Sequence, residues 1–343
     1  MKGNFRNRVM AVTSAAALSF LLLSGFDSSI TVEEISQKAS ESIGEQGGMD
    51  CDVKGVADVT IELSAGEETQ SLPISGSFDY SIQMTMDPFI MAVSGKMSGD
   101  ASAMGLSGGI ELEEYMVEQE DGTGVMYVRL PQGEDTEWHA AALASDYIES
   151  TLGAVKAALS GDKEAAAGAL GLDMAALQQK AFAGAEIAQE PVNVNGTECY
   201  EVTQTLDGDT LFELVSEVLD AIPQAGIDAS SLAAFQMIFS GIRLDMVSDY
   251  SVDDFTPVYA SVDLGGSDLS AIGQMFGAMM LSSGDGSEVP EVSVNISSLN
   301  MDMNYNGAPD QIEIPAEALE VEPETTLSMQ DVMQAAEAAE AAE

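Results

Sequence analysis

Phe78-Asp79-Tyr80-Ser81-Ile82-Gln83-Met84-Thr85-Met86 alternates apolar and polar residues without a break. A strand sends successive side chains to opposite faces, so Phe78, Tyr80, Ile82, Met84 and Met86 share one face. Asp79, Ser81, Gln83 and Thr85 share the other, the pattern of a half-buried antiparallel strand. Pro88 ends the run, and residues 89–97, 106–117 and 125–130 repeat the alternation between Gly-rich or Asp-Gly turns such as Asp121-Gly122. The spacing predicts a long meander of strands up to about residue 130.

Upstream, Thr31-Val32-Glu33-Glu34 has the form of a capping box, which predicts a helix over 32–42. Downstream, the Ala-rich stretch 140–182 changes period. Tyr147, Ile148, Leu152, Val155 and Leu159 are spaced as one helical face, and Leu170, Met174, Leu177 and Phe182 as another, predicting two helices packed on the sheet. Asn193-Val194-Asn195-Gly196 reads as a hairpin turn into the alternating Cys199-Tyr200-Glu201-Val202. Helices are expected over 210–221 and 230–239, and strands over 243–252 and 258–264, with Pro257 opening the second. A Met-rich helical patch (Ile272, Met275, Phe276, Met279, Met280) follows. From 292 to 305 the inward set runs Val292, Val294, Ile296 and then changes parity to Leu299, Met301, Met303 and Tyr305; a bulge or turn at Ser297-Ser298 reconciles the two.

The chain has 343 residues, 58 acidic against 11 basic, and a formal net charge of -47. Nucleic-acid binding is excluded, because neutralising phosphates needs a basic stripe that these few Lys and Arg cannot supply. Anionic membrane surfaces are disfavoured for the same reason. The first residues carry Lys2, Arg6 and Arg8, then an apolar run over 9–23 and Leu23-Ser24-Gly25-Phe26. That is the form of a secretory signal or N-terminal membrane segment, residues 1–26, and it predicts an extracytoplasmic protein, secreted or associated with the cell envelope. The ending is that of a lipobox with Phe26 where the lipid-accepting Cys belongs, so no thioether anchor forms there. Residues 27–322 read as one α+β domain, a curved antiparallel sheet packed against several helices. Residues 323–343 read as an acidic, Ala-rich, solvated tail.

Few motifs support chemistry. Asp302-x-Asn304-x-Asn306-Gly307 with Glu313 matches a calcium-loop pattern, yet its residues continue the strand alternation of Met301, Met303 and Tyr305, and a strand-to-turn segment is the expectation. Glu111, Glu113 and Glu114 are expected on a solvated face, and the single His139 on the surface. No P-loop, Rossmann fingerprint or CxxC pair is present, so no cofactor, no metal and no enzymatic activity are expected. Cys51 and Cys199 would both lie outside the cytoplasm, where they either form a disulfide or stay reduced. The 20 methionines remain. Flexible thioethers suit either a permissive core or an adaptable ligand surface, and Tyr80, Ile82, Met84, Met86, Met91, Met301, Met303 and Tyr305 are the candidate lining of a cavity for a lipid or other amphiphile.

The order of these pieces resembles the LolA/LppX-like superfamily of bacterial envelope lipoproteins, in its Met-rich Firmicutes branch. The resemblance rests on Leu23-Ser24-Gly25, Thr31-Val32-Glu33-Glu34, Ile82-Gln83-Met84-Thr85-Met86, Val194-Asn195-Gly196-Thr197-Glu198-Cys199-Tyr200-Glu201-Val202, Thr256-Pro257-Val258 and Ile312-Glu313-Ile314-Pro315-Ala316-Glu317-Ala318-Leu319. It implies a half-barrel wrapped over helices around a hydrophobic cavity, and a non-enzymatic role in binding lipids or lipoproteins. Two other readings remain open: a structural or interaction protein of the cell surface whose concave face is filled by its own helices, and an acidic calcium-binding surface protein. Oligomeric state has no signature in the sequence.

Overall fold

The computed structural model describes residues 30–65, 68–101, 106–129, 137–145, 148, 153, 180, 182–221, 236–237, 239–271, 291–323 and 325–327. One curved sheet dominates it. The strands are β1 (Gly48–Ala65), β2 (Glu68–Met86), β3 (Phe89–Ala101), β4 (Leu106–Glu118), β5 (Gly124–Arg129), β6 (Trp138–Leu143), β7 (Glu186–Ile187), β8 (Val192–Val194), β9 (Thr197–Asp207), β10 (Arg243–Ser251), β11 (Pro257–Asp263), β12 (Glu291–Gly307) and β13 (Thr325–Leu327). Their order is β13-β6-β5-β4-β3-β2-β1-β12-β11-β10-β9-β7, with β8 paired to β9. Every pairing is antiparallel except β13 on β6.

The predicted meander is β2 to β5, each strand hydrogen-bonded to the next. The junction of the two halves is β1, which pairs with β2 on one side and β12 on the other over almost its whole length. The first and last long strands are thus neighbours, and their burial depends on closing a loop of more than 200 residues. In β12 the register moves from Asp58↔Ser298 to Val59↔Ile296, leaving Ser297 without a partner. This is the bulge the parity change requires, and it keeps Ile296 and Leu299 on one face.

Helix α1 (Val32–Gln46) starts where the Thr31 hydroxyl accepts the Glu34 N–H at 2.8 Å and stops at Gly47, whose φ is 74°. It runs past the expected end at 42. Val32, Ile35 and Ala39 recur at helical spacing and bury against Val202 and Tyr250, while Ile43 reaches the main core. Helix α2 (Gly208–Ala221) matches the helix expected over 210–221, with the Asp207 carboxylate accepting the Thr210 N–H at 2.9 Å. A short α3 (Ala316–Leu319) lies on the opposite face of β5 and β6, where Ala318 packs with Tyr127, Trp138 and Ala140.

Two expectations change. Ala140 begins the predicted helical stretch, yet Trp138–Leu143 is a strand whose residues pair with β5 and β13. Alanine's helix preference is worth tenths of a kcal/mol per residue, less than the pairing and burial it meets here. The rest of that stretch lies almost wholly outside the described residues, as do the Met-rich patch at 272–280 and most of 230–239. The predicted tail also joins the sheet, since Thr325–Leu327 forms β13. Among the described residues, no helix is long and apolar enough to cross a membrane.

Candidate functional site

Register turns the alternation into rows. Met49, Met84, Met91, Met116 and Met126 are successive partners across β1 to β5, ending on Ala141 of β6. The next row runs Tyr305, Cys51, Ile82, Val93, Glu114, Val128 and His139. The third is Ala260, Met303, Val53, Tyr80, Gly95 and Leu112, and the fourth Met301, Gly55, Phe78, Met97 and Ile110.

All eight residues of the sequence-derived set belong to this inner face. Met84 and Met303 are buried, and Tyr80, Ile82, Met86, Met91, Met301 and Tyr305 are partly buried against the same cluster. Two glycines shape the floor. A Cβ on Gly55 would lie 2.3 Å from the Phe78 ring, and one on Gly95 would lie 2.5 Å from Cδ1 of Tyr80. The two rings therefore lean to opposite sides, Phe78 over β1 and Tyr80 over β3, with centroids 5.9 Å apart.

Glu114 corrects the sequence reading. Glu111 is exposed and Glu113 pairs with Arg129, both on the outer face, but Glu114 points the other way and is 1% exposed. Among the described residues, neither carboxylate oxygen has a hydrogen-bond partner. Burial alone pushes its pKa up to about 7. The signal was in the sequence: Ile110, Leu112, Glu114 and Met116 are equal in parity, so the alternation itself sets Glu114 on the apolar face. His139, expected on the surface, stands half-buried in β6 in the same row, two strand spacings or about 10 Å from Glu114.

Opposite these rows, the outer face carries Asp302, Lys54, Asp79, Lys96 and Glu111 as register partners in alternating charge. Lys54 and Asp79 form an ion pair at 3.2 Å. An open recess of about 740 Å³ lies on this face, lined by Lys54, Asp79, Lys96, Glu111 and Asp302 among others. Val56, Phe78, Met97 and Ile110 also line it, so the recess mixes charged and apolar groups and lies away from the row of Met49, Met84, Met91, Met116 and Met126.

The calcium-pattern residues are strand residues. Asp302, Asn304 and Asn306 occupy successive outward positions of β12, where the Tyr259 hydroxyl donates to Asp302, Asn195 to Asn304 at 3.4 Å and Asn306 to Asp52 at 3.2 Å. Extended backbone spreads their oxygens instead of converging them. Asn195 sits at the β8–β9 turn with Gly196, both at positive φ as the Asn-Gly pair predicts, and the turn folds back over the outer face. Asp249 is buried on that face, its pKa pushed up to about 6 by burial and by Glu201. Cys51 and Cys199 are buried free thiols on β1 and β9, so the disulfide is not formed. Four strand spacings separate them, about 19 Å along the sheet and far beyond bridging distance. Burial pushes the Cys51 thiol up to about 12, with help from Asp50 and Asp52, which leaves it inert as a nucleophile.

No family model and no curated protein matches the chain. Among solved structures it is similar to a DUF1329 family protein from Desulfovibrio piger, with 9% sequence identity over 81% of this chain and 93% of that one, at a TM-score of 0.18.

Proposed function

We propose that this protein is an extracytoplasmic, non-enzymatic binder of a lipid or other amphiphile, held against the methionine-lined inner face of its curved sheet. The observation that carries the reading is the row Met49, Met84, Met91, Met116 and Met126, continuous across five strands and bordered by the row that holds partly buried Tyr305 and Ile82. Thioether side chains rearrange around shapes that branched residues would reject. The acidic surface keeps such an apolar-lined protein soluble outside the cytoplasm.

A second reading is favoured by one observation. Met84, Met116 and Met126 are at most 2% exposed, as in a filled core, and a filled inner face would belong to a structural or interaction protein. Native mass spectrometry of protein exported from a bacterial host and purified without detergent separates the two. A lipid-sized adduct, extractable by solvent and absent from folded Met91→Asp and Met301→Asp variants, supports binding. A clean apo mass after exposure to lipid vesicles supports the filled core.

A further inference from the structure

Resting on that reading, we infer that Glu114 is the polar anchor of the inner face and that the amphiphile it selects carries a cationic, hydrogen-bond-donating head, an alkylammonium in the simplest form. Glu114 is 1% exposed, and among the described residues both of its oxygens lack a partner. Its register neighbours are Val93 and Val128, and Leu112 and Met116 flank it along β4. Desolvation without a donor is costly for a carboxyl group, and a charge-assisted hydrogen bond from a bound ammonium would remove that cost.

Among the described residues, the inner rows supply no such partner. In the four inner rows from Met49 to Gly55, Glu114 is the single carboxylate, and no Lys or Arg occupies an inward position. His139 shares the row but stands two strand spacings away, and Glu114 accepts no hydrogen bond from it. Charge acts in the same direction. A net charge of -47 raises the local concentration of cations and repels anionic amphiphiles, and Glu114 repels an anionic head again at short range. Fatty acids are thus the wrong class.

The position beside the carboxyl carries no side chain of its own. Gly95 lies diagonal to Glu114 on β3, and the volume above Gly95 is occupied by the half-buried Tyr80 ring and not by a side chain of its own. Binding beside Glu114 would require Tyr80 to rotate away from Gly95, a side-chain movement that breaks no strand pairing.

The test is calorimetric titration, below micelle formation at pH 7.5, with decylammonium, decyltrimethylammonium, decanoate and decyl maltoside against wild type and Glu114→Gln. The trimethyl probe carries the same charge with no N–H, so it separates the head-group hydrogen bond from the general field. The expected result is decylammonium binding at least tenfold tighter than decyltrimethylammonium in wild type, a gap that closes to within twofold in Glu114→Gln, with decanoate weakest. Glu114→Gln removes a buried charge and keeps its shape, so a folded variant is expected; a thermal melt checks it. Equal binding of all four probes, or a preference that survives in Glu114→Gln, overturns the anchor and leaves the amphiphile reading standing. Binding of none overturns both.

Discussion

The two faces of β1 to β5 share one backbone and one register, yet they are built on opposite physics. On the inner face a row of five methionines is mostly removed from water, and its worth is burial and contact, about 1.5–3 kcal/mol for each side chain fully removed. On the outer face the row Asp302, Lys54, Asp79, Lys96 and Glu111 alternates in sign but stays wet, where each pair is worth about 0–1 kcal/mol. Adjacent residues of one strand therefore differ severalfold in what they contribute, and only parity distinguishes them. Glu114 is the exception that tests the rule, a carboxyl with inner-face parity.

The largest expected effect follows from moving the outer chemistry inward. Met84→Asp sets an unpaired charge in the 2%-exposed centre of the methionine row and is expected to prevent stable folding, while Met84→Ala loses about 2–5 kcal/mol in denaturant unfolding. A Met84→Ala loss below about 1 kcal/mol would mean that the inner face is not a packed core.

Next comes the reverse exchange at Glu114. Its folded pKa of about 7 lies above the ordinary 4.5, so the native state binds the proton more tightly than the unfolded chain. That contribution is fully present below pH 4.5 and is lost as pH rises through about 7, a total of about 3 kcal/mol. Glu114→Gln should therefore match wild type at pH 4.5 and exceed it by roughly that amount at pH 8, read from unfolding midpoints across pH. Parallel pH curves for the two proteins would place the carboxyl in water.

A local control is the cap of α1. Thr31→Ala should lower stability by about 1 kcal/mol in the same unfolding assay, since the Glu34 N–H loses its acceptor. The smallest effect belongs to the outer row: Lys54→Ala should change stability by less than about 0.5 kcal/mol, and its coupling to Asp79 in a double-mutant cycle should fade as salt is raised. A coupling above about 2 kcal/mol that resists salt would show that the outer recess is drier than its exposed lining indicates.

Which residues face inward was legible along the chain. The alternation through Phe78 to Met86 set the faces of β2, and the parity change in β12 required a bulge that falls at Ser297. The Asn195-Gly196 turn and the Thr31 cap were equally local, because turn and cap geometry depend on a few neighbouring residues. Glu114 was legible too, had parity been weighed above the clustering of Glu111, Glu113 and Glu114.

Tertiary structure alone decided which strands meet. No local pattern states that β1 pairs with β12, or that methionines from five strands fall into one row, since register between distant segments is fixed by the summed burial of both partners. The same closure turned Ala140–Leu143 into a strand against its composition and left Cys51 and Cys199 four strands apart. Periodicity is a property of a few consecutive residues and survives in the sequence; the environment of Glu114 is a property of β3, β4 and β5 together, and it exists only once they are paired.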